Sequence, residues 1–365
     1  MKKLLIVTHI VFWRKNSGDT ARLFALVQYL SEFTELTVVY GGEIDPIDLP
    51  KIEQIKKLMH FVWIRRNADQ EITTYAQPFK EFLSGRQFDV CIIEHVFLSF
   101  LTAFIPKHVK LILDAHDIVS DRMESFKQMN CSEKLVTDLP VELENAYFRQ
   151  FDVVMMIQKN DFDKISKIIG REKTILTPHP ASMQKRVIRR GVNAIGFVGS
   201  GHPPNIDAVN WFVNHVWPLI EKRGVKFKIY GDVCDSLKMG KTSSVMINGF
   251  MADQDLIYRS IDIVVNPVKF GAGLKIKNVE ALGSGLPLVT TTHGAMGMED
   301  GIGRSFLVAD DIMSFSAHIF NLIDDYDMRK HLGEKAYQYA LNNYSPEECF
   351  KSLLLEINKP KVVAA

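Results

Sequence analysis

Short, wholly apolar runs alternate along the chain with longer stretches of helical period. Leu4–Thr8, Leu36–Tyr40, Val90–Ile93, Lys110–Leu113 and Val153–Ile157 read as strands. Between the first two, Gly18–Phe33 carries Leu23, Leu26, Val27 and Leu30 at the spacing of a one-faced helix. Strands that are apolar throughout and separated by helices predict a parallel sheet covered on both faces. The pattern then repeats. Ala194–Val198, Phe227–Tyr230, Val245–Ile247, Ile263–Val265 and Leu288–Thr291 are expected as strands, with helices at Asn205–Arg223, Asp253–Ser260, Lys275–Gly283 and Ile312–Tyr326. Between the halves, Thr177–Arg190 (TPHPASMQKRVIRR) has two prolines, a basic polar run and no apolar period, which is linker composition. The expected fold class is therefore α/β: two doubly wound domains facing an interdomain cleft, into which both sheets can turn their carboxyl ends.

Composition narrows the function. The 365 residues suit two domains of ordinary size. Lys and Arg total 44 against 43 acids, a net charge of +1, which argues against a nucleic-acid-binding protein. No apolar run approaches the roughly 18 residues that span a bilayer. The opening MKKLLIVTHIVFW has the charged and apolar parts of a signal peptide but runs into Arg14 and Lys15 without a small-residue cleavage site, so a first buried strand is expected. Cys91, Cys131, Cys234 and Cys349 form no CxxC pair, which disfavours a zinc site or disulfide framework and fits a reducing, cytoplasmic setting. Lys51–Arg66 admits two readings. A basic amphipathic helix would give peripheral contact with the inner face of a membrane; a short helix followed by a buried strand, His60–Ile64, is favoured.

The candidate chemistry concentrates in Ile263–Thr292. A strand ends at Asn266–Pro267, a glycine loop follows (Gly271, Ala272, Gly273), and a helix is expected from about Leu274. Glycines let the backbone approach a ligand closely, and the free amides opening the helix suit an anion. Lys275 and Lys277 add positive charge, and Glu280 lies within reach of a ribose hydroxyl pair beyond the phosphates. A second glycine loop, Phe197–Asn205 (FVGSGHPPN), follows the first strand of this half and holds Gly199 and Gly201. One such loop is weak evidence, since many serve packing alone; two in one domain point to one extended ligand.

These segments, together with NGFMADQDLIYRSIDIVVNPVKFGAGLKIKNVEALGSGLPLVTT and THGAMGM, resemble the C-terminal domain of family 4 (group 1) glycosyltransferases. Members have the GT-B fold, built of two Rossmann-like domains, and transfer a sugar from a nucleotide-diphosphate donor with retention. SGDTAR (17–22), LILDAHDIVSDR (111–122) and YSPEECFKSLLLEI (344–357) resemble N-terminal and closing segments of the family. The resemblance implies an acceptor-binding domain over 1–185, a nucleotide-sugar-binding domain over 190–345, and a segment 346–365 crossing back to the first domain. It places Glu280 at the donor ribose, the Gly273 and Leu274 amides at the diphosphate, Gly199 and Ser200 beneath the phosphates, and Phe250 near the base. Asn266 is counted with this donor set. Two departures stand out: Ala272 replaces an acid common in the family, and Ser200, His202 and Asn205 stand where many members have an Arg and a Lys. Lys275 and Lys277 are the expected substitutes. Lys275 is expected to face the leaving diphosphate, and Lys277, about 200° round the helix, to face elsewhere.

In the first half, Gly18 can bring its amide near a sugar or phosphate, or serve as a tight turn. Arg22 could reach the cleft, though a surface position is favoured. Asp114, His116 and Asp117 follow a strand at the carboxyl edge, where ligands bind in such sheets. His116 is the expected catalytic contact to the transferred sugar, helped by Lys275; Glu94 and His95 are weaker acceptor-site candidates. No DxD pair suits a metal clamp, because Asp232 and Asp235 are wrongly spaced, so neither a metal nor a cofactor is expected. The expected function is metal-independent, retaining sugar transfer from a UDP- or GDP-sugar to a glycan, lipid-linked or protein acceptor, in bacterial glycan assembly. A non-catalytic nucleotide-sugar-binding subunit, suggested by Ala272, and a sugar-nucleotide epimerase are the alternatives.

Overall fold

The apolar runs of the first half assemble into one parallel sheet in a computed structural model describing residues 1–66, 71–131, 139–238 and 243–361. Its strands are β1 (Lys2–Thr8), β2 (Thr34–Gly42), β3 (His60–Arg65), β4 (Val90–Glu94), β5 (Lys110–Asp114), β6 (Val153–Met156) and β7 (Thr174–Leu176), in the order β3-β2-β1-β4-β5-β6-β7. The second half forms β8 (Ala194–Val198), β9 (Lys226–Tyr230), β10 (Val245–Gly249), β11 (Ile263–Asn266), β12 (Leu288–Thr290) and β13 (Leu307–Val308), ordered β10-β9-β8-β11-β12-β13 and also parallel. Both orders reverse once, between β1 and β4 and between β8 and β11. Such switch points open a crevice beyond the carboxyl ends of the strands. The expected α/β class with two Rossmann-like domains is the fold observed. The short strands β7 and β13 were not expected from the pattern.

Local chemistry explains where the elements depart from expectation. The helix expected at Asn205–Arg223 begins at Pro203, widens into a π turn over Phe212–Val216, and resumes at Trp217. Pro218 lacks the N–H that would bond one turn back, and the widened turn accommodates it. Gly224, in the left-handed region at φ 76°, ends the run. The basic segment 51–66 is split into a helix, Leu49–Ile55, and β3, so no continuous amphipathic helix lies along it. β3 is an edge strand rather than a buried one, because only β2 flanks it, and Trp63 is 45% exposed. No helix among the described residues is long and apolar enough to cross a membrane.

The linker is extended and pinned rather than loose. Thr177 N donates to Met156 O (2.8 Å), Ala181 N to Tyr344 O (2.7 Å) and Arg186 N to Ser284 O (2.8 Å). The last helix, Pro346–Asn358, returns to the first domain. Phe350, Leu353 and Ile357 are buried in a core shared with Leu23, Leu26 and Val27, and each such side chain contributes about 2 kcal/mol by leaving water. Lys110 Nζ holds Glu356 at 2.8 Å. Residues 362–365 of this segment lie outside the described residues.

Candidate functional site

Both switch points open on one cleft of about 480 Å³ between the domains. Its second-domain wall grows from the loops after β8 and β11. Gly199 closes the β8 strand: its amide donates to Tyr230 O (3.0 Å) and its carbonyl accepts from Val233 N (3.2 Å). The Gly199 amide is thus spent on the sheet and cannot serve a phosphate. The amides of Ser200 and Gly201, one and two residues on, make no hydrogen bond among the described residues. On the second loop, Gly271 and Gly273 adopt φ 107° and 69°, conformations that favour glycine. The Gly273 and Leu274 amides are left without a backbone acceptor, since the helix begins only at Ile276.

Both lysines line the cleft, so Lys277, expected to face elsewhere, is the one that departs from expectation. Lys275 is the residue preceding the helix, so helical angles do not govern it, and its Nζ turns back to Gly273 O (2.9 Å) and Ala272 O (3.2 Å). Lys277 reaches the first glycine loop, where its Nζ donates to Asn205 Oδ1 and sits 4.3 Å from the Phe197 ring centroid. Neither lysine makes an ion pair among the described residues. Burial pushes Lys275 down to about 8, against the pull of Asp117 and Asp161. Burial, reinforced by Lys275, pushes Lys277 down to about 7. An anion brought between the loops would reverse both shifts.

Glu280 lines the cleft from the same helix and is 5% exposed; His179 Nε2 lies 3.1 Å from its Oε1 and Ser182 N donates to its Oε2 (3.1 Å). Phe250, after β10, is 45% exposed on the cleft wall. Asn266 departs from expectation: it is fully buried and does not line the cleft. Its Nδ2 donates to Asn278 Oδ1 (2.8 Å), whose own Nδ2 reaches Gly294 O (2.8 Å), so it braces the loop after β11.

On the first-domain wall, Arg22 is not at the surface, as favoured, but lines the floor of the cleft. It is fully buried, with Nε and Nη2 on the two Asp114 oxygens (2.8 and 3.0 Å) and Nη1 on Thr177 O (2.8 Å). Asp114 and Glu94 end β5 and β4 and lie beneath the cleft rather than on it. Both had been expected to face an acceptor; instead they hold His116, whose Nε2 bonds Glu94 Oε2 at 2.8 Å with Asp114 Oδ2 at 3.9 Å. His116 lines the cleft, stacks on His95 (centroids 4.1 Å apart) and has φ 63°. Burial opposes its protonation, but Asp114 and Glu94 outweigh burial and raise its pKa. Burial and Asp114 push Glu94 up to about 7. Gly18 allows the domains to approach: a Cβ there would lie 3.0 Å from Ile276 Cδ1.

Glu94, Asp114 and His116 bring potential metal-ligand atoms within 4.8 Å of one another. Arg22 already supplies the cation there, and Glu94 and His116 are bonded to each other, so the donor set is that of a closed ion-pair network. Two cleft groups, His9 and Arg122, and one buried residue behind Glu280, His179, were missed by the sequence reading. His9 follows β1 at the switch point, a position that could have flagged it; its pKa is lowered to about 4, chiefly by burial. Arg122 grips Asp117 through both carboxylate oxygens (2.8 and 3.1 Å). His179 comes from the linker, whose composition gave no signal.

Residues 192–325 match the family model described as glycosyl transferases group 1. The chain is 24% identical to an uncharacterized 44.6 kDa protein in the cps region of Klebsiella pneumoniae, over 98% of this chain and 100% of that one. Anabaena Alr3699/HepE, solved in complex with UDP and glucose, superposes with a TM-score of 0.73 at 15% identity, covering 98% of this chain and 100% of that one. Sucrose-phosphate synthase from Thermosynechococcus elongatus gives a TM-score of 0.74 at 11% identity, covering 98% and 97%. Residues 192–325 thus match the group 1 glycosyl transferase model, and nearly the whole chain shares the two-domain GT-B fold of these solved structures.

Proposed function

We propose that the protein transfers a sugar from a UDP- or GDP-sugar to an acceptor hydroxyl, with retention and without a metal ion, in the assembly of a bacterial glycan. The observation that carries this reading is the pair Lys275 and Lys277, partly buried between two glycine loops with no carboxylate bonded to either. Such a place suits a diphosphate. The Ser200, Gly201, Gly273 and Leu274 amides and Lys277 meet its oxygens, Glu280 takes the ribose hydroxyls, and Phe250 borders the base. The complex of HepE with UDP and glucose supports the nucleotide class.

The transferred sugar then lies toward His116. Nε2 is held by Glu94, which leaves Nδ1 as the ring atom able to meet a sugar hydroxyl or carbonyl-like oxygen. Negative charge grows on the leaving diphosphate in the transition state, so lysines and oriented amides there act more strongly on that state than on bound donor. Attack from the leaving-group face, assisted by the departing phosphate, is the retaining route that needs no carboxylate nucleophile. Ala272 removes an acid from the loop; Asp117 lines the opposite wall of the cleft, its carboxylate held by Arg122. The acceptor enters over His9 and His95.

Purified protein incubated with a panel of nucleotide-sugars and glycan acceptors tests this reading. Release of nucleoside diphosphate that depends on acceptor and persists in excess EDTA is expected, with the donor's anomeric configuration kept in the product. Binding of donor without turnover across the panel would favour a binding subunit instead. Activity lost in EDTA and restored by Mg²⁺ would remove metal independence.

A further inference from the structure

Glu280 sits on a helix of the second domain, yet the groups that hold its carboxylate come from outside that domain's sheet. His179 Nε2 is 3.1 Å from Oε1, and the Ser182 amide donates to Oε2 at 3.1 Å. Both belong to the extended linker between β7 and β8. We infer that His179 is a positioning residue of the donor site, and that the linker presets the Glu280 carboxylate for a nucleoside ribose. The inference rests on the reading that Glu280 binds that ribose.

The argument is one of counting and burial. An ionised carboxylate has about four lone-pair sites and no proton to give. The linker takes one on each oxygen, which leaves one on each, a matched pair for the two adjacent hydroxyls of a ribose. His179 must donate from Nε2, since its partner can only accept. Its Nδ1 is buried without a hydrogen-bond partner, so no other contact turns the ring, and the bond to Glu280 is what sets its orientation. His179 is 2% exposed and has no contact with solvent that would replace Glu280 as an acceptor. A rotatable glutamate held on both oxygens loses little freedom when a ligand arrives, and preorganisation of this kind appears as affinity.

The linker is fixed at its other end as well. Two residues before His179, Thr177 accepts from Arg22 through its carbonyl (2.8 Å) and its hydroxyl (3.2 Å). Arg22 in turn holds Asp114, 3.9 Å from His116. The linker that positions the ribose carboxylate is therefore tied to the group beneath the sugar end of the cleft.

Calorimetric titration of the full-length protein with UDP, and with GDP beside it, compares wild type with His179→Ala, His179→Gln and Glu280→Gln. His179→Ala should weaken nucleotide binding about 10-fold, the scale of one hydrogen bond to a charged group. His179→Gln, which keeps a donor at similar reach, should stay within about 3-fold of wild type. In turnover, the donor KM of His179→Ala should rise while kcat holds, because the ribose contact is equal in bound donor and transition state. Should His179→Ala not fold, wild type carrying ¹⁵N-histidine gives the answer: the His179 Nε2 resonance should move on titration with UDP. Affinities of His179→Ala and His179→Gln that do not differ, or an unmoved resonance at saturation, would overturn the inference. Glu280→Gln binding like wild type, or no nucleotide binding by wild type, would instead overturn the reading on which it rests.

Discussion

Replacing Arg22 by methionine removes the cation from a fully buried ion pair. Arg22 and Asp114 are both fully buried, and the guanidinium makes four hydrogen bonds: two to Asp114, and one each to the carbonyl and hydroxyl of Thr177. Breaking one side of a buried ion pair costs about 3–5 kcal/mol, mostly because the remaining charge is stranded. Here Glu94 stands on the same floor, so the stranded charge adds to an existing carboxylate repulsion. The first domain is of a size at which 1 kcal/mol moves a melting midpoint by about 2–4 °C, so a fall of roughly 6–20 °C is expected in differential scanning calorimetry. The loss should shrink in mild acid, where a bare buried carboxylate can take up a proton. Arg22→Met combined with Asp114→Leu should recover much of the loss, since replacing both partners strands nothing. A single variant that loses less than about 1 kcal/mol, or a double variant no better than Arg22→Met, would refute the view that the pair is a closed, desolvated unit.

The remaining predictions concern the second domain. Lys277→Ala should lower turnover by about 10²-fold, the scale for one group that stabilises developing charge, and more than Lys275→Ala, whose ammonium is turned back on its own loop; the opposite order in steady-state kinetics would contradict the assigned faces. Lys277 at about 7 and Lys275 at about 8 are partly deprotonated near pH 8 in the free protein, and a bound anion raises both. Nucleotide binding should therefore take up protons between about pH 7 and 9 and weaken as pH rises through that window. Calorimetry at pH 8 in buffers of different ionisation heat reads this directly, and heats that do not depend on buffer would refute it. Gly231 has φ 94°, and a Cβ there would lie 2.2 Å from Gly199 O. Gly231→Ala should cost at least about 2 kcal/mol in urea denaturation, and wild-type stability would show that the loop is not so tightly built.

Much of the architecture could be read from the chain because it rests on local pattern. Apolar runs such as Val90–Ile93 and Ile263–Val265 are apolar because both faces of a parallel sheet are covered, and spacing alone reveals that. The second-domain loops were legible for a similar reason, since glycines, lysines and Glu280 are close together in sequence. What could not be read depends on long-range packing. Arg22 resembles a surface arginine until Asp114, 92 residues away, is placed against it. The faces of Lys275 and Lys277 turned on where the helix begins, a matter of two residues, and boundaries of that kind are set by the surrounding loop. His179 sits in a segment with linker composition, and only the folded chain puts it against Glu280, 101 residues on. Asn266 reads as a ligand residue at the end of a strand, but its partner Asn278 makes it a brace.

The central claim is that a nucleotide diphosphate lies between the loops after β8 and β11. Hydrogen–deuterium exchange with saturating UDP or GDP tests it at the atoms concerned. The account predicts slowed exchange in peptides covering 198–203 and 271–277, where the Ser200, Gly201, Gly273 and Leu274 amides now lack acceptors. Protection elsewhere in the chain with those two segments unchanged would contradict it.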